Sequence, residues 1–423
     1  MALLGSREVS VVTSAEYVIV GGGLAGFNAI PAIRERDRDG HILLVTDEAE
    51  RPYDRVPLSK RYLQGALSRE GVFLRPMEFY AENHVELVTG HKASHLDTAA
   101  HTVALDDGRS IQYSKLLLAT GGQPRRLPLP GANLPGIHYL RTLRDSDAVK
   151  DAMTRAKRLV VVGGGFIGCE VAAAGVMKGL DTTVVEVGPY LLNMAFDEPA
   201  ARWVTEFLLS KGMKTRCGER AARFLEEGGR LSGIETSGGT TLPADLVVVG
   251  VGLAPNTDLA TAAGLSVDNG IVVNARLETS APDVYAAGDV ARFYAPVFER
   301  HLRVEHYDVA VRHGKVAGAN MAGASVTFTD LPYFFSDMFE LRIHVHGILS
   351  DHDRVALRGE RKLTDQGGFV QFYLKGSRVM AYLGVNRKLK DERAAQRMIA
   401  SRRAFEDTKP LEDMSVDLAA LAG

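Results

Sequence analysis

Apolar runs that end in clusters of glycine dominate the hydrophobic pattern of this chain. Residues 17–20 (Tyr-Val-Ile-Val) and 159–162 (Leu-Val-Val-Val) each lead directly into three consecutive glycines. Uninterrupted apolar runs of this length, bounded by turn residues, are typical of buried strands in parallel sheets. A second strand-like run follows each of them, at residues 41–45 and 181–185. The pattern therefore predicts two strand–helix–strand units.

Both glycine clusters have the spacing G-x-G-x-x-G. The six glycines are Gly21, Gly23 and Gly26 in the first turn and Gly163, Gly165 and Gly168 in the second. The first glycine permits a tight turn, the second lets the backbone approach a pyrophosphate, and the third lets helix and strand pack closely. The helices would start at Leu24-Ala25 and Phe166-Ile167, where an N-terminus offers partial positive charge to phosphates. Two such turns predict two dinucleotides, with electron transfer between them.

An acidic residue follows the second strand of each unit. Asp47 lies 21 residues after Gly26, and Glu186 lies 18 residues after Gly168. Acids at this distance accept hydrogen bonds from the adenosine ribose, and a carboxylate at Glu186 would repel a 2′-phosphate, which favours NADH over NADPH. Three downstream arginines leave that preference open: Arg202, Arg216 and Arg220.

Each half of the chain then repeats the same order of elements. In the first half, the Asp-Gly pair within residues 101–111 predicts a hairpin, and residues 115–118 predict a buried strand. In the second half, a Gly-Gly turn at residues 238–239 precedes the apolar strand 245–249. The repeat predicts duplicated nucleotide-binding domains with parallel sheets.

From about residue 331 the pattern changes to alternating apolar and polar positions. Residues 368–374 and 378–383 predict strands of an antiparallel sheet, and residues 390–403 predict a polar helix. The predicted fold class is therefore α/β, with two Rossmann-like dinucleotide-binding domains and a C-terminal α+β domain.

Composition narrows the range of functions. The 50 Lys and Arg residues against 52 Asp and Glu leave no net charge that would favour nucleic-acid binding. The apolar runs are too short for a membrane span. We therefore expect a cytoplasmic protein, with residues 1–14 as a loose leader.

Cysteine and histidine usage excludes some redox and metal chemistry. The only cysteines are Cys169 and Cys217, and there is no C-x-x-C pair. A disulfide framework and a thioredoxin-like dithiol are therefore excluded, so electrons must leave through a cofactor. His344 and His346 share one strand face, but without a third ligand or a nearby carboxylate in sequence they predict no metal site.

Four further motifs connect the chain to a known family: residues 51–60 (RPYDRVPLSK), 118–122 (LATGG), 279–289 (TSAPDVYAAGD) and 304–308 (VEHYD). With them, roughly residues 16–385 resemble the two-dinucleotide, glutathione-reductase-like flavoprotein reductases. Within these, the chain is most similar to the group containing putidaredoxin reductase, biphenyl-type ferredoxin reductases and apoptosis-inducing factor. The resemblance implies FAD at the first glycine turn and NADH at the second. It also implies an FAD domain of residues 1–125 and 253–330, an NADH domain of residues 126–252 and a C-terminal domain of residues 331–423.

The resemblance also implies a redox centre. The family places the lysine matching Lys60 near the flavin and pairs it with the glutamate matching Glu170. We therefore predict that Lys60 and Glu170 are catalytic and form an ion pair that links the FAD and NADH domains, because a fixed lysine stabilises a reduced flavin electrostatically. The family's aspartate matching Asp289 binds the flavin ribitol, and here Asp289 also has the features of a helix N-cap.

The predicted cofactor-binding residues outside the glycine turns combine the two acids with the family matches. They are Asp47, Arg55, Lys60, Ala119, Thr120, Gly121, Arg125, Glu170, Glu186, Gly252, Gly288, Asp289, Glu305, His306, Tyr307 and Phe335. Tyr307 and Phe335 stand where relatives often carry tryptophan. Arg125 as a surface residue and His306 as a core or capping residue remain open alternatives.

The sequence and the resemblance together predict an FAD-dependent NADH oxidoreductase of the ferredoxin–NAD(+) reductase type. Hydride would pass from NADH to FAD, and electrons would then pass to an external acceptor, in the first place a [2Fe–2S] ferredoxin. Basic residues that could steer an acidic ferredoxin are Arg51, Arg55, Arg61, Arg125 and Arg126. A homodimer is one possible assembly.

Two alternatives remain open. One is an NADH-binding redox sensor like apoptosis-inducing factor, with a long-lived charge-transfer complex. The motif at residues 305–308 favours it, as do Phe335 and Met338 in place of the family's usual tryptophan and glutamine. The other is an NADH reductase of a small acceptor such as a quinone or monodehydroascorbate.

Overall fold

The structure, a computed structural model, describes residues 12–362, 368–387 and 389–423. Over these residues the strands are β1 (Val12–Val20), β2 (Ile42–Thr46), β3 (Val85–Thr89), β4 (Ala93–Asp97), β5 (Thr102–Leu105), β6 (Ser110–Leu118), β7 (Gly122–Pro124), β8 (Ile137–Tyr139), β9 (Arg158–Val162), β10 (Asp181–Glu186), β11 (Lys214–Cys217), β12 (Ala221–Glu227), β13 (Arg230–Thr236), β14 (Thr241–Pro243), β15 (Leu246–Val249), β16 (Leu253–Pro255), β17 (Ile271–Val273), β18 (Val284–Ala286), β19 (Ala291–Ala295), β20 (Arg300–Arg303), β21 (Tyr333–Met338), β22 (Leu341–Gly347), β23 (Arg354–Gly359), β24 (Phe369–Lys375) and β25 (Arg378–Val385).

The helices over the same residues are α1 (Leu24–Arg34), α2 (Arg61–Gln64), α3 (Met77–Glu82), α4 (Leu143–Arg155), α5 (Phe166–Met177), α6 (Glu198–Ser210), α7 (Asp258–Ala262), α8 (Tyr307–Met321), α9 (Leu389–Ala400), α10 (Lys409–Glu412) and α11 (Leu418–Ala422). Three short 3-10 turns span Val56–Ser59, Glu70–Val72 and Gly288–Val290.

The chain groups into two compact units. Unit 1 contains the described part of Met1–Asp54 together with Phe73–Gly122 and Pro255–Asp330; unit 2 contains Arg55–Val72, Gln123–Ala254 and the described part of Leu331–Gly423. The contacts thus group residues 55–72 with the second glycine turn, although the family resemblance implies that they belong to the FAD domain. The division into three domains stays a prediction.

Unit 1 is built on a mainly parallel sheet. Its strand order is β3-β2-β1-β6-β5-β4, with β18 also beside β6. The pairs among β1, β2, β3, β6 and β18 are parallel, and β4 and β5 extend the sheet in antiparallel fashion. All five residues of β2 are buried, as expected for a strand covered on both faces. The predicted hairpin is confirmed between β5 and β6, but residues 115–118 continue its second arm instead of forming a separate strand.

The N-terminal expectation needs a correction. Residues 12–14 were expected in a loose leader, but they belong to β1, which pairs with β6 from Val12 opposite Ser110 to Val20 opposite Leu118. Because β6 runs without a break from the hairpin into the core, it offers β1 a partner along its whole length. The rest of the expected leader, residues 1–11, lies outside the described residues.

Helices α1 and α8 of unit 1 pack with their backbones in contact. A Cβ on Gly314 would lie 2.2 Å from the Ala25 carbonyl oxygen, and one on Gly318 would lie 2.4 Å from that of Ala29. These distances leave no room for a side chain, so glycine is required at both positions of α8. The approach fixes α8 against the helix that begins at the first glycine turn.

Unit 2 contains a second parallel sheet, with strand order β11-β10-β9-β15-β8. The strands β12, β13 and β14 form a separate antiparallel sheet, and the predicted Gly-Gly turn joins β13 to β14. In unit 1 the strand β6 is continuous, whereas the corresponding segment of unit 2 is divided into the two strands β14 and β15. Asp245 lies at this break and accepts hydrogen bonds from the Lys157 and Arg158 N–H groups at 3.0 and 2.9 Å. The two halves therefore share a plan but not one continuous strand.

The C-terminal part of unit 2 is the predicted antiparallel sheet, ordered β21-β22-β25-β24-β23, followed by the predicted helix α9. The sheet shares a hydrophobic core with the half that carries the second glycine turn. The Trp203 ring on α6 packs edge-on against the Phe369 ring, with 5.2 Å between the ring centroids. Beside it, Asp197 Oδ1 accepts hydrogen bonds from Tyr373 (2.6 Å) and Gln371 (3.0 Å). Apolar packing and a buried polar contact therefore hold the C-terminal sheet in place.

Candidate cofactor sites and redox centre

The first glycine turn joins β1 to α1. Gly21 has a φ of +121°, and a Cβ there would lie 2.2 Å from the Ala119 carbonyl oxygen. A Cβ on Gly26 would lie 2.1 Å from Gly21 O, whereas one on Gly23 would meet nothing within 4 Å. The fold therefore requires the first and third glycines. The space at the second lies at the N-cap of α1, where no side chain caps the helix, and this arrangement fits a pyrophosphate.

The second glycine turn, between β9 and α5, has the same construction. Gly163 has a φ of +106°, and its Cβ would lie 2.3 Å from the Gly250 carbonyl oxygen. A Cβ on Gly168 would lie 1.9 Å from Gly163 O, while Gly165 again faces open space at an uncapped helix N-terminus. The residues present fit a dinucleotide here as well.

Glu186, the last residue of β10, braces the second turn. Its carboxylate accepts hydrogen bonds from the N–H of Gly164 (2.6 Å) and from the N–H of Gly188 (2.8 Å), and the residue is 8% exposed. The negative charge is therefore fixed beside the open position at Gly165. A carboxylate there suits a ribose hydroxyl and disfavours a phosphate.

The acidic residue near the first turn lies at a different position. Val20 pairs with Val45 as Val162 pairs with Val185, so Thr46, rather than Asp47, occupies the position that corresponds to Glu186. A Cβ on Gly22 would lie 3.0 Å from the Cβ of Thr46. Asp47 is the next residue, beyond the end of β2, and it is exposed. Its role toward a ribose stays a prediction.

Residues 119–121 lie beside the first turn and are held by a residue that the sequence did not indicate. The Ala119 N–H donates to Val20 O at 2.8 Å. Asn256 then clamps the next two residues: its amide Nδ2 donates to Thr120 O (2.9 Å), and its own N–H donates to Gly121 O (3.0 Å). The Thr120 hydroxyl in turn donates to Asn256 O at 2.8 Å. Asn256 follows an Ala-Pro pair, which marks a crossover in the sequence but not this clamp.

The segment with Gly288 and Asp289 corrects one expectation. Asp289 was expected to cap a helix, but it is the middle residue of a 3-10 turn whose N-cap is Ala287, with no side-chain capping bond. The turn depends on Gly288, which has a φ of +77° and whose Cβ would lie 3.0 Å from that of Ala25. The predicted ribitol-binding role of Asp289 does not depend on capping and stays a prediction.

Glu305, His306 and Tyr307 lie at the start of α8. Glu305 accepts a hydrogen bond from Arg303 at 2.6 Å, and His306 is the N-cap residue of the helix. Burial lowers the pKa of His306 to about 4, so its imidazole is neutral at neutral pH. Tyr307 is 39% exposed, and burial of its remaining surface raises its pKa. The start of α8 therefore places a partly exposed aromatic ring next to a neutral histidine.

The predicted ion pair between Lys60 and Glu170 is present in unit 2. Lys60 Nζ lies 3.2 Å from Glu170 Oε1, and the two side chains are 12% and 5% exposed. Lys60 lies in an irregular link between a 3-10 turn and α2, and Glu170 lies in the first turns of α5. Because residues 55–72 belong to unit 2, both side chains of the pair lie within one compact unit. The expectation that the pair links the FAD and NADH domains stays a prediction, as does the domain division itself.

Two buried serines complete this centre, and sequence reasoning missed both. The Ser59 hydroxyl donates to Glu170 Oε2 at 2.5 Å, and the Ser336 hydroxyl donates to Oε1 at 2.6 Å. Both serines are at most 2% exposed. The carboxylate therefore has a cation and two hydroxyl donors, which is what a buried charge requires. The only sequence signal was that Ser59 and Ser336 adjoin Lys60 and Phe335.

The other predicted residues of unit 2 contact different neighbours. Phe335 faces the lysine, with Lys60 Nζ 5.0 Å from its ring centroid. The Arg55 guanidinium donates to Arg141 O at 3.0 Å. The Arg125 N–H donates to Gly252 O at 2.9 Å, and the Arg125 side chain is exposed.

The predicted site residues thus fall into two sets. The set in unit 1 comprises residues 21–26, 47, 119–121, 288–289 and 305–307, and the set in unit 2 comprises Arg55, Lys60, Arg125, Glu170, Glu186, Gly252, Phe335 and residues 163–168.

The cysteines supply no redox pair. Cys169 and Cys217 are both free, and burial raises the pKa of each thiol. A thiol held in its protonated form is a poor nucleophile. The two cysteines therefore do not form a dithiol relay.

His344 and His346 gain a partner that their sequence neighbourhood did not show. Glu392 on α9 has Oε2 3.5 Å from a ring nitrogen of each histidine. Among the described residues, no three or more His, Cys, Asp or Glu side chains are placed to hold a metal ion. Within the same part of the chain, no helix has the length and apolar character that a membrane crossing needs.

Two glycine turns at the carboxyl ends of parallel strands, with a buried lysine–carboxylate pair, define a two-dinucleotide oxidoreductase. Residues 15–314 match the family described as pyridine nucleotide-disulphide oxidoreductase, and residues 333–422 match the one described as reductase C-terminal. The chain therefore belongs to the pyridine nucleotide-disulphide oxidoreductase family. It is a flavoprotein that uses FAD and NAD(H), as the sequence motifs indicated.

Named relatives make the resemblance more specific. Rhodocoxin reductase of Rhodococcus erythropolis is 38% identical over 392 residues, covering 91% of this chain and 89% of that protein. The ferredoxin reductase for the CYP199A2 system from Rhodopseudomonas palustris is 33% identical, with a TM-score of 0.91 over 96% of this chain and 100% of that one. Putidaredoxin reductase in its covalent complex with putidaredoxin is 34% identical, with a TM-score of 0.91 over 96% of this chain and 98% of that one.

Proposed function

We propose that this chain is the NADH-dependent reductase of a small [2Fe–2S] ferredoxin. The observation that carries the proposal is the contact of β21 with the Lys60–Glu170 pair, through Ser336 and Phe335. β21 begins the reductase C-terminal domain, and the similarity to ferredoxin reductases extends through that domain. The C-terminal domain that this chain shares with these relatives therefore contributes side chains to the contacts of the Lys60–Glu170 pair.

The chain's own residues bind and orient the cofactors and supply electrostatics. When bound, NADH supplies a hydride, and FAD accepts two electrons and can release them singly. The residues that would hold FAD are those of the first glycine turn with residues 119–121 and Gly288-Asp289, and the second turn with Glu186 would hold NADH.

Lys60 provides a fixed positive charge in a site with little water. Such a charge stabilises negative charge that develops on an electron acceptor, and it needs no reorganisation during the reaction. Glu170 keeps the ammonium of Lys60 in place, and the hydroxyls of Ser59 and Ser336 hold the carboxylate. The three partners around Glu170 make this a rigid ion pair rather than a mobile surface contact.

Exposed arginines of unit 2 offer a docking surface for an acidic protein. Arg61, Arg125 and Arg126 are exposed, and Arg126 lies over the Tyr139 ring at 4.9 Å. Positive groups at the edge of an interface raise the association rate of an acidic partner and make it sensitive to salt. The Arg51 guanidinium, by contrast, lies 3.8 Å from the Phe73 ring centroid, in unit 1.

The test is an anaerobic stopped-flow titration of the flavoprotein with NADH, followed by mixing with an oxidised [2Fe–2S] ferredoxin. We expect rapid bleaching of the flavin and rapid reoxidation by the ferredoxin. Slow bleaching followed by a persistent long-wavelength absorbance, unchanged by ferredoxin, would instead identify a redox sensor. Reoxidation by a quinone but not by ferredoxin would identify a small-acceptor reductase.

Charge reversal separates docking from chemistry. We expect the double variant Arg61→Glu/Arg126→Glu to slow ferredoxin reduction about tenfold at low salt and to leave reduction by NADH unchanged. Arg230→Glu, at another exposed arginine of unit 2, is the matched control. Equal effects of the double variant and the control would exclude the proposed docking surface.

We also propose that the protein works in the cytoplasm, where NADH is available and free thiols such as Cys169 and Cys217 persist. A homodimer stays a prediction.

A further inference from the structure

His313 is a buried histidine that the proposed electron transfer does not use. It lies on α8, is 0% exposed, and is enclosed by the rings of Phe293 (4.6 Å between centroids) and Phe328 (4.4 Å), both nearly perpendicular to the imidazole. Its Nδ1 accepts a hydrogen bond from the Gly288 N–H at 3.3 Å. In this position the imidazole acts as a buried hydrogen-bond acceptor for the backbone of Gly288.

The hydrogen bond fixes the protonation state of the ring. Because Nδ1 accepts from a backbone N–H, the proton of the neutral imidazole is on Nε2. Among the described residues, Nε2 has no hydrogen-bond partner. Burial lowers the pKa of His313 to about 3, which keeps the acceptor available at neutral pH. A protonated ring would place an N–H donor against the Gly288 N–H.

The Gly288 N–H is at a sensitive point of unit 1. Gly288 begins the 3-10 turn that carries Asp289, has a positive φ, and packs against Ala25 in the first turn of α1. An acceptor for its N–H therefore fixes the turn relative to the glycine turn at the start of α1. His313 reaches this point from the middle of α8, which the Gly314 and Gly318 contacts hold against α1.

We propose that His313 is a positioning residue for FAD: its neutral imidazole holds the Gly288–Asp289 turn in the geometry that binds the flavin dinucleotide. The inference rests on the proposed assignment of FAD to unit 1. His313 is thus a positioning residue and not a contact of the cofactor. It acts through the backbone of Gly288, so its loss weakens FAD binding without removing any contacting group.

The test compares side chains that do and do not offer an acceptor at the Nδ1 position. The Asn side chain places its amide oxygen near that position, whereas the longer Gln side chain carries its amide near the position of Nε2. We expect His313→Gln and His313→Leu to weaken FAD binding about tenfold or more, because a buried N–H loses its partner. His313→Asn should retain most of the affinity. The measurement is the FAD dissociation constant of the apoprotein, from the quenching of flavin fluorescence.

A matched control comes from the other unit. His346 is equally buried (2% exposed), but it lies in the C-terminal sheet. His346→Leu should lower stability without weakening FAD binding. Thermal unfolding of the apoproteins measures how much stability each variant loses. If His313→Leu does not fold, the comparison of Asn with Gln still decides.

The outcomes separate this inference from the proposed function. Equal FAD affinity of the Asn and Gln variants, or wild-type affinity in His313→Gln, would overturn the role of His313 while the wild-type protein still passed electrons to ferredoxin. A wild-type protein that bound FAD but did not reduce ferredoxin would overturn the proposed function and leave the role of His313 standing.

Discussion

The two glycine turns share one design and differ in what surrounds them. In both, the first and third glycines are required by contacts closer than 2.5 Å that a Cβ would make, and the second faces open space. Around the second turn, the bracing group is Glu186, from the next strand of the same βαβ unit. Around the first turn, the neighbouring segments are fixed by Asn256 and His313, which come from distant parts of the chain.

This difference suits two kinds of ligand. A turn that is braced by the acid of its own βαβ unit can bind and release a nucleotide without disturbing the rest of unit 2. A site built from segments around residues 21, 120 and 288 is complete only when all of unit 1 is folded. The comparison therefore favours a retained flavin in unit 1 and an exchanging nicotinamide nucleotide in unit 2.

The strongest test of the comparison replaces the third glycine of each turn. Gly26→Ala and Gly168→Ala would place a Cβ 2.1 and 1.9 Å from a carbonyl oxygen, so the helix must shift. Overpacking of this kind costs about 3 kcal/mol or more, which corresponds to at least about a hundredfold in affinity. We expect Gly26→Ala to purify without flavin, and Gly168→Ala to retain flavin but to show a greatly raised NADH dissociation constant. Flavin absorbance per protein and NADH titration measure the two effects.

The opposite assignment would give a contrary result. If Gly168→Ala lost its flavin and Gly26→Ala kept it, the nucleotides would be exchanged between the turns.

The next largest effect should come from the Lys60–Glu170 pair, which lies in unit 2. Lys60→Ala should slow flavin reduction by NADH about a hundredfold, because a preorganised charge is lost. Ser336→Ala removes one of three partners of Glu170 and should slow reduction about tenfold. Ser210→Ala, whose hydroxyl donates to Phe207 O on α6, is the control and should have no effect. The readout is the single-turnover reduction rate; unchanged rates in both variants would refute the role of the pair.

Acid should affect the two units unequally, because unit 1 contains two histidines that burial keeps neutral, the partly buried His306 and the fully buried His313. Burial lowers the pKa of His306 to about 4 and that of His313 to about 3, whereas an unfolded histidine titrates near pH 6.5. Between about pH 6.5 and 4 the unfolded chain therefore binds more protons, and stability falls as the pH falls.

The expected slope is about 1.4 kcal/mol per pH unit for each histidine. Urea unfolding followed through flavin release at pH 7 and pH 5 measures it, and His313→Asn should roughly halve the loss. A stability that does not change over this range would show that the two imidazoles titrate normally in the folded protein.

The smallest expected effect concerns the two acids. Glu186→Gln keeps an acceptor at the second turn but removes the charge that repels a 2′-phosphate, so the preference for NADH over NADPH should fall about tenfold. Asp47→Asn changes an exposed residue and should alter FAD affinity less than threefold, as for a weak surface interaction. The kcat/KM ratio for the two nucleotides and the FAD dissociation constant are the measurements. A larger effect at Asp47 would show that the acidic residue contributes to nucleotide binding at both turns.

Local patterns were sufficient to predict much of this architecture. The glycine turns, the strands around them, the hairpin before β6 and the C-terminal sheet all depend on neighbouring residues, whose spacing is visible in the sequence. The ion pair of Lys60 with Glu170 required the family resemblance, since the two residues are 110 positions apart.

What the sequence did not predict depends on distant packing. Ser336 reaches Glu170 across 166 positions, and His313 meets Gly288 because α8 packs closely against α1. The expected capping role of Asp289 was wrong because the chain after Gly288 makes only a short 3-10 turn. The strand β1 starts earlier than expected because its partner β6 is long. In each case the deciding contact lies outside the local sequence window.

The shared core of the C-terminal sheet has a consequence for how such reductases can be recombined. Domains that meet at a polar surface can be exchanged as independent modules, but here Trp203 and Phe369 interlock, and Asp197 bonds to Gln371 and Tyr373. A chimera that took only the terminal domain from a relative would place foreign side chains against α6. The C-terminal sheet can therefore be exchanged only together with the matching face of α6, and both parts must be inherited as one piece.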